Sequence, residues 1–287
     1  MSVTTEFGVP VPGGEIHATR RGSGPPVLLL HGGPGLGAEY LDGLVEELDG
    51  LIDGVLPQQR GLEPSTIEGP RDVERHVADQ IAVLDHLGWE RAWLIGHSWG
   101  AHLGMHLAVA HPDRVAGLVA IEALGAVPDG GAGALVPTLV ARLTPDERSV
   151  LDTLIAQRGD GSNAGIEALI ISALWPSYFH DHATAARARL MRIEVMPPGE
   201  PDTMASVRAH FEAGTLERGL PSFDRPALFL HGVSDPLPSS ASVESAALIP
   251  GARVELIDAC GHFPWIERPG VVREAVQALL AESATRD

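Results

Sequence analysis

The sequence contains no lysine, so all 20 of its Lys and Arg residues are arginines. A chain without lysine cannot form a lysine Schiff base, anchor pyridoxal phosphate or place a lysine in a phosphate-binding loop. This absence excludes several classes of enzyme mechanism before any motif is considered.

Cysteine is almost absent as well. Cys260 is the single cysteine, so no internal disulfide bond can form. The segment 1–12 lacks the basic stretch and apolar run of a secretory signal. No apolar run in the sequence is long enough to span a bilayer. From these absences we expect a cytoplasmic protein.

Positively charged residues are far outnumbered by acidic ones, with 20 Lys and Arg against 38 Asp and Glu, so the formal net charge is −18. Nucleic-acid binding requires clustered cations to neutralise phosphates, and anionic membranes attract the same kind of cluster. We therefore expect neither nucleic acid nor membrane as a partner, and we expect a small-molecule substrate. The sequence carries no information on the oligomeric state.

Short apolar runs alternate with segments of helical periodicity along the first 125 residues. The runs at residues 26–30, 92–95 and 115–121 are typical of strands covered on both faces. Apolar residues recur at helical spacing over residues 72–87. This alternation predicts an α/β fold, in which a mostly parallel, twisted sheet is flanked by helices.

The strand pattern stops after residue 125 and returns near residue 223. In between, Thr144 is followed by a proline and then, at the third helical position, by Glu147, a combination that marks a helix start. Strand-like runs resume at residues 226–232 and 254–257. The sequence thus predicts a core of residues 1–125 and 223–287, interrupted by a helical cap at residues 126–222.

The segment Gly96-His97-Ser98-Trp99-Gly100 has the pattern G-x-S-x-G between a predicted strand and a predicted helix. In that context the pattern indicates a nucleophile elbow, a sharp turn whose glycines permit close backbone approach. We expect Ser98 to be a catalytic nucleophile, because the helix that follows favours negative charge at its beginning.

A serine nucleophile needs a base and an acid, which in this fold class follow it in chain order. Asp235 lies after the strand at residues 226–232, and His262 lies after the next strand. We expect His262 to take the Ser98 proton and Asp235 to orient its imidazole. Asp258 is a competing acid, but it lies very close in the chain to His262.

Two fixed donors are needed to stabilise a developing oxyanion. We expect one to be the backbone N–H of Trp99, directly after the nucleophile. The other comes from the loop His31-Gly32-Gly33-Pro34-Gly35, and we favour the N–H of Gly33 because Pro34 has none.

Taken together, this loop, the elbow, Asp235 and His262 resemble the α/β-hydrolase superfamily over nearly the whole chain. The resemblance implies that residues 126–222 form a cap over the active site. It also argues against dehalogenases and epoxide hydrolases of this fold, because those enzymes use an aspartate nucleophile where this chain has Ser98.

Within the superfamily, His31 to Gly35 resembles the proline iminopeptidase group. Gln59-Arg60-Gly61 and Arg192-Ile193-Glu194 are similar to segments of that group. The resemblance implies that Glu194 would bind the free amino group of a substrate. However, Gln58 stands in place of an aspartate, and His97 stands in place of a glycine. These departures favour esters or lactones over peptides.

Several side chains are weaker candidates. Trp175 and Phe263 could line an apolar pocket, although Trp175 could equally belong to the core of the cap. His180 and His182 are too few to indicate a metal site. His102 and His106, one turn apart on the helix after Ser98, are better explained by packing.

The sequence therefore predicts a serine hydrolase that cleaves carboxylic esters or lactones through an acyl-enzyme on Ser98, without a cofactor or a metal. Two alternatives stay open. One is a proline iminopeptidase-like aminopeptidase that uses Glu194, and the other is a non-catalytic ligand-binding protein on the same fold.

Overall fold

A computed structural model of the chain describes residues 2–66, 68–158, 164–186, 188 and 203–285. Eight strands form one sheet. They are β1 (Thr5–Val11), β2 (Gly14–Gly22), β3 (Pro26–Leu30), β4 (Asp53–Pro57), β5 (Ala92–His97), β6 (Val115–Ile121), β7 (Ala227–Gly232) and β8 (Arg253–Ile257). Their order across the sheet is β1-β2-β4-β3-β5-β6-β7-β8.

The sheet is mostly parallel, as the alternating pattern predicted. Strands β4, β3, β5, β6, β7 and β8 pair in parallel, whereas β1 and β2 are antiparallel to their neighbours. The first two strands form a hairpin in which Val11 faces Gly14. The predicted α/β-hydrolase architecture is therefore confirmed.

Helices cover both faces of the sheet. Those of the core are α1 (Asp42–Glu47), α2 (Val73–His86), α3 (Trp99–Ala110), α10 (Ser240–Ala247), α11 (Pro264–Glu267) and α12 (Val271–Ala284). The spacing of apolar residues over 38–48 predicts one helix, but in the structure a 3-10 helix, Ala38–Leu41, precedes α1.

Two apolar clusters enclose the sheet, one on each face. One cluster includes Leu103 of α3 and Val83 of α2, and the other includes Leu41 and Val276 of α12. Because both faces of the central strands are covered, alternate residues need not be polar, and β3 and β5 read as continuous apolar runs.

Between β6 and β7 the described residues are helical and contain no strand. Six helices lie in this region, namely α4 (Ala132–Ala141), α5 (Pro145–Arg158), α6 (Ala164–Leu174), α7 (His182–Ala185), α8 (Thr203–Ala213) and α9 (Thr215–Gly219). The Thr144 hydroxyl accepts from the Glu147 N–H, and the Glu147 carboxylate accepts from the Thr144 N–H. This capping box begins α5 where the sequence predicted a helix start.

The residue pattern also predicts a helix over residues 183–193. That segment lies largely outside the described residues, which include only α7 and a few neighbouring positions. Within the described parts of the chain, no helix is both long enough and apolar enough to cross a membrane.

Candidate active site

Ser98 lies in a strained turn between β5 and α3. Its backbone has φ 56° and ψ −121°, a conformation that is rare for a residue with a side chain. A Cβ at Gly96 would overlap the Ala101 backbone, and a Cβ at Gly100 would overlap the Leu30 carbonyl. Only glycine fits at both positions, so the motif serves the close packing of a nucleophile elbow.

Asp235 and His262 meet at the same edge of the sheet. Nδ1 of His262 donates to Oδ2 of Asp235 at 2.8 Å, and both side chains are buried. The second carboxylate oxygen, Oδ1, accepts from the Leu237 N–H at 2.8 Å. Asp258, the competing acid in the sequence, is exposed instead.

The charge state of Asp235 follows from these contacts. Burial alone would raise the pKa of its carboxyl group, but this effect is outweighed by the charge of His262, by the neighbouring Glu122 and by the hydrogen bond from His262. The pKa of Asp235 therefore lies below its usual value. An ionised acid beside His262 stabilises an imidazolium, as a general base requires.

The loop at residues 31–35 packs directly against Ser98. A Cβ on Gly32 would come within 3.1 Å of the Ser98 Cβ, so only glycine lets the loop approach so closely. Gly33 follows with φ +124°. Trp99 is the first residue of α3, and the first N–H groups of a helix have no acceptor within it.

Buried side chains hold this loop in place. Nε2 of His31 accepts from the Gln59 N–H at 2.9 Å, and its Nδ1 donates to the Gly32 carbonyl. Burial lowers the pKa of His31 to about 4, so the ring is neutral, as these bonds require. The Gln59 amide in turn joins the His31 carbonyl to the Trp99 indole N–H.

A second hydrogen-bond chain joins three loops of the site. The Tyr40 hydroxyl accepts from the Gly32 N–H at 2.5 Å and donates to Nδ1 of His97 at 2.8 Å. Nε2 of His97 then donates to the His262 carbonyl at 2.8 Å. Burial and the neighbouring His262 lower the pKa of His97, so its ring is the neutral tautomer that this chain needs.

Glu122, which the sequence reasoning missed, is also buried at this edge. It directly follows β6, has φ +47°, and accepts from the Gly232 N–H. Burial and the nearby Asp235 raise its pKa well above the usual value. One feature of the sequence could have identified Glu122. It directly follows a predicted strand whose carboxyl end lies at the same edge of the sheet as Ser98 and Asp235.

The aromatic candidates form a cluster beside His262. The ring of Trp175 lies 5.0 Å from that of Phe263, centre to centre. Both line a cavity of about 270 Å³ together with Tyr40 and Trp265. Trp175 also packs against Phe179, which lies in the same helical region between β6 and β7. Trp175 therefore belongs both to the apolar packing of that region and to the cavity wall.

The histidines that the sequence analysis treated as weak site candidates include three with local hydrogen-bond partners, namely His180, His102 and His106. Nδ1 of His180 bonds with the Ser234 hydroxyl at 2.8 Å. His102 and His106 contact each other through their Nε2 atoms at 3.2 Å, and Nδ1 of His102 donates to the Gly125 carbonyl. These are packing and hydrogen-bonding roles. Glu194 lies outside the described residues.

The chain matches the sequence model of the Alpha/beta hydrolase family over residues 27–275. It is 28% identical over 297 residues to epoxide hydrolase A of Mycobacterium tuberculosis, covering 89% of this chain and 90% of that protein. Among solved structures it resembles a thermophilic esterase from Thermogutta terrifontis, with a TM-score of 0.70 and 26% identity over 98% of this chain and 99% of that chain.

A proline iminopeptidase from Mycobacterium smegmatis has a TM-score of 0.70 to this chain and is 21% identical, over 99% of this chain and 100% of that one. At that identity the likeness shows a shared fold alone.

Proposed function

Since this chain belongs to the alpha/beta hydrolase family, we propose that it is a serine hydrolase that cleaves carboxylic esters, lactones included, through an acyl-enzyme on Ser98. The observation that carries the proposal is the pairing of a serine in the strained elbow with a buried His262 that donates to Asp235. This combination supplies a nucleophile, a base and an orienting acid.

His262 takes the proton of the Ser98 hydroxyl as that oxygen attacks the substrate carbonyl. The imidazolium formed is stabilised by the ionised Asp235, and the proton then passes to the leaving alcohol. Water attacks the acyl-enzyme in the second half-reaction, with His262 again acting as the base. No cofactor is needed for either step.

The negative charge that develops on the carbonyl oxygen is held by the N–H groups of Gly33 and Trp99. The close packing of Gly32 on Ser98 supports this assignment, because it brings the loop to the reacting atom. Removing one such donor typically costs about 3 kcal/mol of transition-state stabilisation.

The substrate is a small molecule that enters beneath the cap. The cap reaches the site through Arg142, whose guanidinium donates to the carbonyls of Ser177 and Asp235. The cavity that Trp175 and Phe263 line does not include Ser98 or His262 in its wall. The support for an apolar wall beside the substrate is therefore the position of Phe263, whose ring centre lies 5.3 Å from that of His262.

One relative bears the name epoxide hydrolase. The enzymes of that name on this fold use an aspartate at the elbow, where this chain has Ser98. Serine with a histidine base attacks an acyl carbonyl, so an ester is the substrate class that fits the elbow residue best.

The test is the activity of the purified protein on p-nitrophenyl esters, lactones, prolyl-naphthylamide and an epoxide. We expect ester or lactone hydrolysis, its loss in Ser98→Ala, and its retention in Ser172→Ala, a control on an exposed helix position. Turnover by Ser98→Ala, or preference for the prolyl amide, would contradict the proposal. Failure on every substrate would favour the ligand-binding alternative.

A further inference from the structure

Glu122 is a second acid at the centre of the site, and it is completely buried. Both of its carboxyl oxygens lie within hydrogen-bond distance of the Gly232 N–H, at 2.8 and 2.9 Å. Its own N–H donates to the Leu230 carbonyl. The side chain is therefore fixed from β7, the strand that leads to Asp235.

Most of the described groups that act on the charge of Glu122 are acids. The nearby cation is Arg142, which interacts with Asp235 and Glu267 and donates to the Asp235 backbone carbonyl. Asp235 is the nearest acid to Glu122, and the carboxyl oxygens of the two residues and a ring nitrogen of His231 lie within 4.8 Å of one another. Glu267 on α11 adds further negative charge, and Cys260 lies near as a protonated thiol. His262 faces Asp235, to which it donates.

His231 does not neutralise Glu122 either. Its Nε2 lies 3.1 Å from the Leu237 carbonyl, and a carbonyl only accepts, so Nε2 carries the hydrogen. Its Nδ1 lies 2.8 Å from the Ser242 hydroxyl and can accept from it. Burial lowers the pKa of His231, in agreement with a neutral ring.

The same bonds argue against a metal ion between the three residues. A histidine ligates a metal through an unprotonated nitrogen, and the His231 nitrogen nearest to the carboxyl groups carries its hydrogen. The three side chains therefore make a poor ligand set for a metal ion.

We propose that Glu122 is a neutral carboxylic acid whose O–H donates to Asp235, so that the pair carries one negative charge and holds it on the carboxylate bonded to His262. Glu122 is then a positioning residue that acts through Asp235. Its role in catalysis, though not its protonation, rests on the proposed function.

Two like charges in one buried site cannot both be stable, so one carboxyl group keeps its proton. Asp235 is the better place for the charge, because it accepts from Leu237 and His262. The opposite shifts of the two pKa values, upward for Glu122 and downward for Asp235, agree with this division. With Glu122 as a third donor, beside Leu237 and His262, the Asp235 carboxylate becomes less basic. The proton shared between Asp235 and His262 then stays on Nδ1 of His262.

The test compares Glu122→Gln with Glu122→Leu. Glutamine keeps both a donor for Asp235 and an acceptor for Gly232, so we expect kcat/KM within about threefold of the wild type and an unchanged pH profile. Leucine removes both, and we expect a loss of about tenfold or more in kcat with a displaced acid limb of the profile. If Glu122→Gln is as inactive as Asp235→Asn, Glu122 acts as an anion and the inference is wrong.

Infrared spectroscopy tests the proton without any turnover. We expect the C=O stretch of a neutral carboxylic acid at neutral pH in the wild type and in Ser98→Ala, and its loss in Glu122→Gln. Absence of that band from the wild type would overturn the inference even if ester hydrolysis is confirmed. Conversely, its presence in a protein that hydrolyses no ester would leave the inference standing while the proposed function fails.

Discussion

At the scale of single residues, the loops of the site are held together by a hydroxyl and an imidazole ring. Each of these groups has a single hydrogen to donate. Tyr40 uses its single O–H toward His97 and accepts from Gly32 with the same oxygen. This hydroxyl therefore fixes both the loop that packs on Ser98 and the ring that bonds the His262 carbonyl.

Tyr40→Phe leaves the Gly32 N–H and Nδ1 of His97 without their partner in a buried site. We expect a loss of about 1–3 kcal/mol in the free energy of unfolding. We also expect kcat to fall by about tenfold with a smaller change in KM, because the loop is displaced rather than the substrate contacts. Steady-state kinetics and urea unfolding measure these effects.

The matched control is Tyr178→Phe, the only other tyrosine in the chain. Its ring lies 5.4 Å from that of His262, but its hydroxyl is not part of the chain that joins the loops. Equal kinetic losses in the two variants would refute a specific role for the Tyr40 hydroxyl.

Single residues differ in how much the sequence reveals about them. The elbow pattern and the chain order pointed to Ser98, Asp235 and His262, and the structure brings the last two into contact. Tyr40 and Glu122 had no motif. Their contacts join residues 57 and 110 positions apart, and such proximity depends on the folded sheet.

At the scale of elements, α11 connects the loop that carries His262 to the helical region between β6 and β7. One carboxyl oxygen of Glu267 accepts from the Gly261 N–H and the other from the His180 N–H, each at 2.8 Å. The His262 N–H also donates to the Tyr178 carbonyl. This helical region and the His262 loop thus hold each other in place.

Glu267→Gln should loosen this connection, because a glutamine offers one acceptor where two N–H groups need one each. We expect a loss of about 1–3 kcal/mol in unfolding free energy. We also expect faster hydrogen exchange of the Gly261 and His262 amides. Glu282→Gln, which breaks the exposed pair with Arg253, should cost less than about 1 kcal/mol. Equal exchange rates in wild type and Glu267→Gln would contradict this role.

Elements also differ in how far the sequence predicts them. Central strands such as β3 and β6 were placed with their observed bounds, since two covered faces give an unbroken apolar run. The helices α8 and α9 were not predicted from the sequence. Their apolar residues pack against the core without forming a regular helical repeat that the sequence pattern could reveal.

At the scale of the whole molecule, burial of histidine governs the response to acid. Burial lowers the pKa of six described histidines, namely His31, His76, His97, His102, His106 and His231. A histidine that is neutral in the fold and charged when unfolded makes unfolding take up protons below its ordinary pKa.

Stability should therefore fall steeply as the pH drops below about 6.5, the ordinary histidine pKa. The pKa values are about 4 for His31, about 3 for His76 and about 4 for His102. Once the ring is protonated in the fold, the lost stability reaches about 3 kcal/mol for His31 and for His102 and about 5 kcal/mol for His76. Three such groups rival the whole stability of a typical domain, about 5–15 kcal/mol. The raised pKa values of Glu122 and Glu267 act in the opposite direction, but these two groups are outnumbered by the six histidines.

Urea unfolding followed by tryptophan fluorescence checks this prediction at a series of pH values. We expect a lower unfolding midpoint at each step from neutral pH toward about pH 4.5, with proton uptake on unfolding. An unfolding free energy that stays constant over this range would show that the buried histidines do not govern acid stability.

The central claim, an acyl-enzyme on Ser98, is tested most directly by trapping that intermediate. The wild type is mixed with excess p-nitrophenyl acetate, quenched in acid, digested and analysed by mass spectrometry. We predict an acetyl group on the wild-type peptide that contains Ser98 and no such adduct in Ser98→Ala. We predict less adduct in His262→Gln than in the wild type, because the attack by the serine also needs the base. An acetyl group on another residue, or continued hydrolysis by Ser98→Ala, would contradict the account.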